Sequence, residues 1–134
     1  MILVFFRACP DIIGSLMSNR VRDLSFEFAV GIVIFSRCLI KRDRNVLHIS
    51  MHLLKSGTSI GANVEEALAA QSQKDFLTKI YIGFKEAREC NYWLRLIKTT
   101  LVYDHRQIKN LLTQSEELIL ILSSITKTTR TSLK

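Results

Sequence analysis

Residues 56–67 read SGTSIGANVEEA, a run that has helical spacing but few bulky side chains. Ile60 and Val64 are four residues apart, which places them on one face of an α-helix. Gly57 and Gly61 have the same spacing and therefore share a face as well. A glycine inside a helix costs roughly 1 kcal/mol relative to alanine. The stretch therefore predicts a helix whose glycines allow a stabilising close contact with another helix.

The same stretch supplies a set of residues that we predict to pack helices together. We expect the glycines to receive Phe84 of the third helix or another neighbouring helix. The polar members lie about one turn apart, and a buried polar line can fix the register between helices when it is hydrogen-bonded. A ligand site is the alternative, but the serines have no evident base and the glycines lack the strand–loop–helix setting of a phosphate cradle. The predicted packing set is Gly57, Ser59, Gly61, Asn63, Glu66 and Trp93.

The remaining sequence continues the helical pattern on both sides of this stretch. Apolar residues recur every three or four positions in four segments, separated by breaks at 41–45, near Ser72 and at 103–105. Ser72 and Asp104 are predicted helix N-caps. A single proline and 48% apolar residues favour long, uninterrupted helices. We therefore predict an all-α protein, an up-down-up-down antiparallel four-helix bundle.

The 134 residues fit one domain, and the bundle is predicted to span residues 23–127. Residues 1–22 are predicted to form a flexible leader, because termini are often poorly ordered. Two alternatives are a start of translation at Met17 and a short packed helix or strand in this segment. Residues 128–134 are predicted to form a basic tail that frays.

The first predicted helix is apolar on two sides. One side contains Phe28 and Ile32 at helical spacing. The second side carries Phe26, Val30, Val33 and Ile40. A helix that is apolar nearly all round must be buried on both sides. Either it is central in the monomer or it forms a subunit interface, and we favour the interface because a four-helix bundle has no central position. The pattern thus predicts a homo-oligomer.

Two segments, in the same order, resemble the four-helix-bundle family of proteins encoded in intervening sequences of 23S rRNA genes. Residues 59–66 match a Ser-Ile-x-x-Asn-hydrophobic-x-Glu pattern, and residues 86–94 match Glu-Ala-x-Glu-x-x-x-Trp-Leu. The resemblance covers about residues 20–127 and leaves residues 1–16 outside. It implies a pentameric bundle related to the accessory protein of diversity-generating retroelements, whose basic surface is linked to nucleic-acid binding.

The net charge of +7 and the pI near 9.6 favour partners that are polyanions, either nucleic acid or an anionic membrane surface. In an up-down-up-down bundle, the first and third connections lie at the same end. Eight cations and two acids around them leave about +6 at that end. We predict that it binds structured RNA or DNA through backbone and shape, since no aromatic RNA-binding motif or zinc finger is present. The predicted nucleic-acid-binding residues are Arg37, Lys41, Arg42, Arg44, Arg95, Lys98, Arg106 and Lys109.

Explanations that need no ligand compete with this interpretation of the charged and aromatic residues. Cations near helix C-termini stabilise the helix dipole, and charged loops keep a protein soluble. Tyr92 and Trp93 could stack on bases, but the position of Trp93 beside Leu94 favours the core or an interface.

The sequence contains few candidates for catalytic or metal-ligating residues. His48 and His52 have a spacing that could share a metal, but no acidic third ligand follows at a recognisable spacing. The three cysteines, Cys9, Cys38 and Cys90, contain no CxxC pair and are predicted to be reduced core residues of a cytoplasmic protein. The apolar runs are too short for a membrane span. We therefore predict no enzyme, no catalytic residue, no metal, no cofactor and no membrane partner.

A protein-interaction scaffold is the rival function. It would dock a partner such as a reverse transcriptase or a ribosomal component, and its charge would serve mainly that partner. The scaffold predicts little affinity for nucleic acid alone, whereas nucleic-acid binding through the basic end predicts affinity that falls steeply with salt.

Overall fold

The computed structural model describes residues 12–100 and 106–134, and within them it contains four α-helices and no strand. A 3-10 turn, Arg44–Val46, joins the first two helices. The helices are α1 (Ile12–Arg42), α2 (Leu47–Leu68), α3 (Gln73–Thr100) and α4 (Arg106–Ser132). Each helix packs chiefly on its neighbour in the chain, and α1 closes the bundle against α4. The predicted all-α four-helix bundle is confirmed.

Pairs of contacting residues show that neighbouring helices run antiparallel. Between α2 and α3, the earlier residue His52 stacks on the later residue Trp93, whereas Glu66 pairs with Lys79. Between α3 and α4, a Cβ at Gly83 would lie 3.9 Å from Leu122, whereas Asn91 bonds to Ser115. In each case, residue numbers that rise along one helix contact residue numbers that fall along the other. The up-down-up-down order follows.

The core takes large apolar side chains from all four helices at the predicted spacings. One such residue from each helix is completely buried, namely Phe28, Leu53, Leu94 and Leu118. In the described helices, no segment is both long enough and apolar enough to cross a bilayer.

Local hydrogen bonds end α1 and separate it from α2. Asp43 has an extended backbone, with φ −148° and ψ 110°, and its Oδ1 accepts a hydrogen bond from the Asn45 backbone N–H at 2.8 Å. The amide of Val46 also donates to the Asp43 carbonyl, at 3.3 Å. The break predicted at 41–45 is therefore a capped turn.

Ser72 caps α3 as its sequence context predicts. Its Oγ accepts from the Asp75 amide at 3.0 Å, and the Asp75 carboxylate accepts from the Gln71 amide at 3.3 Å. The reciprocal bond of a capping box thus goes to the residue before the cap. The second predicted cap, Asp104, lies outside the described residues.

Replacing Ser72 with alanine should lower the free energy of unfolding by about 1 kcal/mol, because an N–H at the start of α3 loses its acceptor. Urea unfolding followed by circular dichroism measures the change. Thr78→Ala is the control, since its hydroxyl bonds only to the Lys74 carbonyl within the same helix, and it should be neutral or slightly stabilising. Equal losses in both variants would contradict the capping role.

The glycines of α2 receive α1, not Phe84 of α3. A Cβ at Gly57 would lie 2.8 Å from Ile32 Cγ1 and Cγ2, and a Cβ at Gly61 would lie 3.3 Å from the Ser25 carbonyl oxygen. The expectation of a close contact at these two glycines therefore holds with α1 as the partner. Ile60 and Val64, on another side of α2, are completely buried in the core.

Both ends of the bundle extend further than predicted. The predicted leader overlaps α1, which already includes residues 12–22, and Val21 is only 2% exposed. Val21 continues the apolar spacing of the helix, which explains the earlier boundary. At the other end, α4 includes Thr129, which is 9% exposed and continues the spacing of the buried side. The expected fraying tail is helical to Ser132, and residues 1–11 lie outside the described residues.

Candidate nucleic-acid interface

The polar residues of the packing set mostly bond within their own helix. Ser59 Oγ donates to the Lys55 carbonyl at 2.7 Å, and Asn63 Nδ2 donates to the Ser59 carbonyl at 2.8 Å. Glu66 alone of the three bonds to another helix, with Oε2 lying 2.7 Å from Lys79 Nζ of α3. This hydrogen bond raises the pKa of Lys79. Ser59 and Asn63 therefore do not set the register between helices. This result is contrary to the expectation from the sequence.

A different polar link joins α3 to α4. Asn91 Nδ2 donates to Ser115 Oγ at 2.9 Å, and Ser115 Oγ donates to the Leu112 carbonyl at 2.7 Å. Arg95 Nε donates to the other end of the Asn91 amide, Oδ1, at 2.9 Å. The sequence does contain a signal for this link, because Asn91 and Ser115 interrupt two apolar stripes. The link also holds Arg95, one of the predicted phosphate-binding residues, in one orientation.

Trp93 lies in a group of aromatic rings at the junction of α2 and α3. It is partly buried against the core, and its Nε1 donates to Glu89 Oε1 at 3.2 Å. Its ring stacks on His52 with a centroid separation of 4.7 Å, and Tyr92 meets it edge-on at 5.0 Å. Trp93 thus packs two helices together at the edge of the core.

The two described cysteines differ in burial, since Cys90 is buried as predicted and Cys38 is exposed, contrary to the prediction. The ring of His48 meets that of His52 edge-on at 4.8 Å. No group of three potential metal-ligating side chains occurs among the residues that the structure describes. Burial raises the pKa of the Cys90 thiol to about 12, and its hydrogen bond with Ser56 offsets this only in part. Because the thiolate is the nucleophilic form, Cys90 is not a nucleophile near neutral pH.

The eight predicted nucleic-acid-binding cations are all exposed and lie toward the same end of the antiparallel bundle. Four lie at the end of α1 and in the following turn, two near the end of α3, and two in the first turn of α4. We call this surface the basic end. The residues are Arg37, Lys41, Arg42, Arg44, Arg95, Lys98, Arg106 and Lys109.

Helix dipoles account for only part of the basic end. Lys41, Arg42 and Lys98 lie in the last turns of α1 and α3, where cations are stabilising. Arg106 and Lys109 lie at the start of α4, where the dipole is positive and cations are unfavourable. The first turn of α4 contains no acidic residue. The helix dipole therefore does not explain this pair of cations.

The fold and this surface define a class, an all-α antiparallel four-helix bundle with a concentrated basic end. The chain belongs to the family of 23S rRNA-intervening sequence proteins, whose family model matches residues 17–124. This confirms the family resemblance carried by residues 59–66 and 86–94.

A solved structure of a related protein has the same architecture. It is the crystal structure of a protein of unknown function from the S23 ribosomal protein family of Bacteroides thetaiotaomicron, with 41% sequence identity and a TM-score of 0.77. The similarity covers 83% of this chain and 98% of that chain. No protein of curated function is significantly similar to this chain.

Proposed function

We propose that this protein is a non-catalytic bundle that binds structured RNA or DNA through its basic end. The placement of Arg106 and Lys109 at the start of α4 carries the proposal, because their charges oppose the helix dipole. A phosphate group at this position would interact favourably with both the cations and the positive end of the helix. Arg42 and Arg44 supply further cations on the same end.

The names of the family and of the related structure favour RNA as the first ligand to test. One refers to 23S rRNA and the other to ribosomal proteins. Phosphates and backbone shape are the features that a surface of lysines and arginines recognises. The cytoplasm, where such RNA is found, is the compartment that we propose.

Titration of the full chain against a labelled rRNA hairpin and a DNA duplex, at low and physiological salt, tests this function. Binding should weaken steeply as salt rises, because neutralised phosphates release condensed counterions. An excess of an uncharged protein, added as a competitor, should not change the affinity for the nucleic acid. Negligible binding at low salt, or binding that ignores salt, would contradict the proposal and favour the scaffold.

We further propose that the chain forms a homo-oligomer through α1. Phe26, Val30 and Ile34 follow one another at four-residue spacing and are 66%, 43% and 50% exposed. Of the other residues expected on this side, Val33 and Ile40 are half-buried. The resemblance implies five subunits, and a ring would repeat the basic end around its axis.

Light scattering should therefore give a mass above that of one 15.4 kDa chain. Replacing Phe26 and Ile34 with glutamate should yield a monomer, because two charges would be buried without partners. Met51→Glu is the control, since Met51 is 54% exposed on α2 and should leave the mass unchanged. A monomeric mass for the unmodified chain would overturn the proposal.

The same exposed side of α1 also favours the second candidate function, an accessory subunit that docks a protein such as a reverse transcriptase or a ribosomal component. This function predicts that the isolated chain is monomeric and has little affinity for nucleic acid. The two measurements above therefore separate the candidates.

A further inference from the structure

Tyrosines and cations share one exposed side of α3. Tyr81, Lys85, Arg88, Tyr92 and Arg95 follow one another at spacings of four, three, four and three residues, which keeps them on one face of a helix. All five are exposed, with Tyr81 at 40% and Tyr92 at 49%. We call this set the α3 stripe. At about 1.5 Å per residue, it is about 21 Å long.

The aromatic rings of this region already bind cations. Lys85 Nζ lies 5.5 Å from the centroid of the Tyr81 ring, and Cζ of Arg130 in α4 lies 5.7 Å from the same centroid. Arg88 lies 5.9 Å from the ring of Phe84. These distances fall within the range of cation–π contacts. Positive charge is therefore held close to rings that remain partly open to solvent.

Tyr92 is supported from the side by other rings. Its ring meets Trp93 edge-on at 5.0 Å, and Trp93 is in turn stacked on His52 of α2. A supported ring loses less conformational freedom when a ligand stacks on it than a freely rotating one does. Tyr92 is thus suited to receive a flat ligand.

The composition of the α3 stripe points to one kind of ligand. All three charged positions of the stripe are basic, and the exposed acid beside it, Glu89, accepts a hydrogen bond from Trp93 Nε1 at 3.2 Å. Exposed aromatic rings that alternate with cations are the means by which proteins bind single-stranded nucleic acid, with bases on the rings and phosphates on the cations. Arg95 belongs to both the stripe and the basic end, so the two surfaces are continuous.

We propose that the α3 stripe binds an unpaired strand of nucleic acid, with bases stacked on Tyr81 and Tyr92 and phosphates held by Lys85, Arg88 and Arg95. This inference rests on the proposed function and extends it, because a strand that leaves a structured element at the basic end would follow α3. The ligand is the unpaired segment next to a duplex or hairpin.

Binding of a labelled single-stranded oligouridylate of about twelve nucleotides tests the α3 stripe. The double variant Y81A/Y92A should bind this strand at least about tenfold more weakly, because each lost stacking contact weakens binding. Its affinity for a blunt DNA duplex should change by less than about twofold. The matched variant Y81F/Y92F keeps both rings and should bind the strand like the unmodified chain. Circular dichroism checks that each variant is folded.

Trp93 gives a second measurement that needs no substitution. It is the single tryptophan of the chain and lies against Tyr92, so a base that stacks on Tyr92 should quench its fluorescence. Oligouridylate should therefore quench the emission to saturation. An abasic strand of the same length, which offers phosphates without bases, should quench it far less.

The outcomes separate this inference from the proposed function. Loss of strand binding in Y81A/Y92A with duplex binding retained, together with quenching that requires bases, supports the stripe. Unchanged strand binding in Y81A/Y92A, or equal quenching by the abasic strand, overturns the stripe and leaves duplex binding by the basic end standing. If the unmodified chain binds neither strand nor duplex, both proposals fail and a protein ligand is favoured.

Discussion

Neutralising the basic end should weaken binding to a nucleic-acid duplex by about a hundredfold to a thousandfold. The variant replaces Arg42, Arg44, Arg106 and Lys109 with glutamine, which keeps side chains of similar polarity and removes four charges. Each phosphate contact releases roughly one counterion, so four lost contacts remove a large part of the binding free energy at moderate salt. The plot of log affinity against log salt should also become shallower by about 3 to 4.

The control for this variant removes the same charge from other parts of the surface. The four control positions are exposed and lie away from the basic end, and each is replaced with glutamine. They are Arg22, Lys74, Lys127 and Lys134. Binding measured by fluorescence anisotropy should change by well under tenfold in this control. Equal losses in the two variants would show that the total charge matters and its position does not.

Gly57→Ala should lower the free energy of unfolding by about 1–3 kcal/mol. The added Cβ would lie 2.8 Å from two carbons of Ile32 and 3.2 Å from its Cβ, distances that require the helices to shift. Ile32 is completely buried and branched at Cβ, so its side chain has little freedom to move away. The steric cost exceeds the gain of roughly 1 kcal/mol in helix propensity. Urea unfolding measures the balance.

Gly83→Ala is the matched control, because it makes the same change inside α3. A Cβ there would lie 3.7 Å from its nearest neighbours, Asn63 Cβ and the Ile60 carbonyl oxygen, which is ordinary van der Waals contact. This variant should therefore be stabilised by up to about 1 kcal/mol. A stabilised Gly57→Ala protein would show that α1 and α2 are not held as closely as the structure indicates.

The four helices could be predicted because their buried positions recur at helical spacing. Phe28 and Ile32 in α1, and Leu118 and Leu122 in α4, are four residues apart and completely buried. The ends were harder to predict. Thr129 is polar, so its burial at the end of α4 was not evident from an apolar pattern.

The partner of the glycines could not be read from the sequence, because helical spacing gives a face but not the neighbour that covers it. Gly57 and Gly61 were expected to receive Phe84 or another neighbouring helix, and they receive Ile32 and Ser25 of α1. The prediction that the polar residues of the packing set fix the register between helices was wrong for a related reason. A serine or asparagine in a helix can bond to the carbonyl four residues earlier, as Ser59 and Asn63 do.

The candidate surfaces differ in how far the sequence revealed them. The basic end followed from topology, because an antiparallel bundle places its first and third connections together. The α3 stripe was missed because its residues are exposed, and exposed positions carry no burial pattern. Only the structure shows that the ring of Tyr81 lies within 6 Å of cations from two helices.

The packing of each helix mainly on its neighbour in the chain also has a kinetic consequence. Contacts between residues that are close in sequence can form without first closing long loops. A monomer with this topology is expected to fold within microseconds to milliseconds, as helical bundles of low contact order do. The pairing of α1 with α4 joins the most distant segments, so we expect it to be the last to form and the first to open.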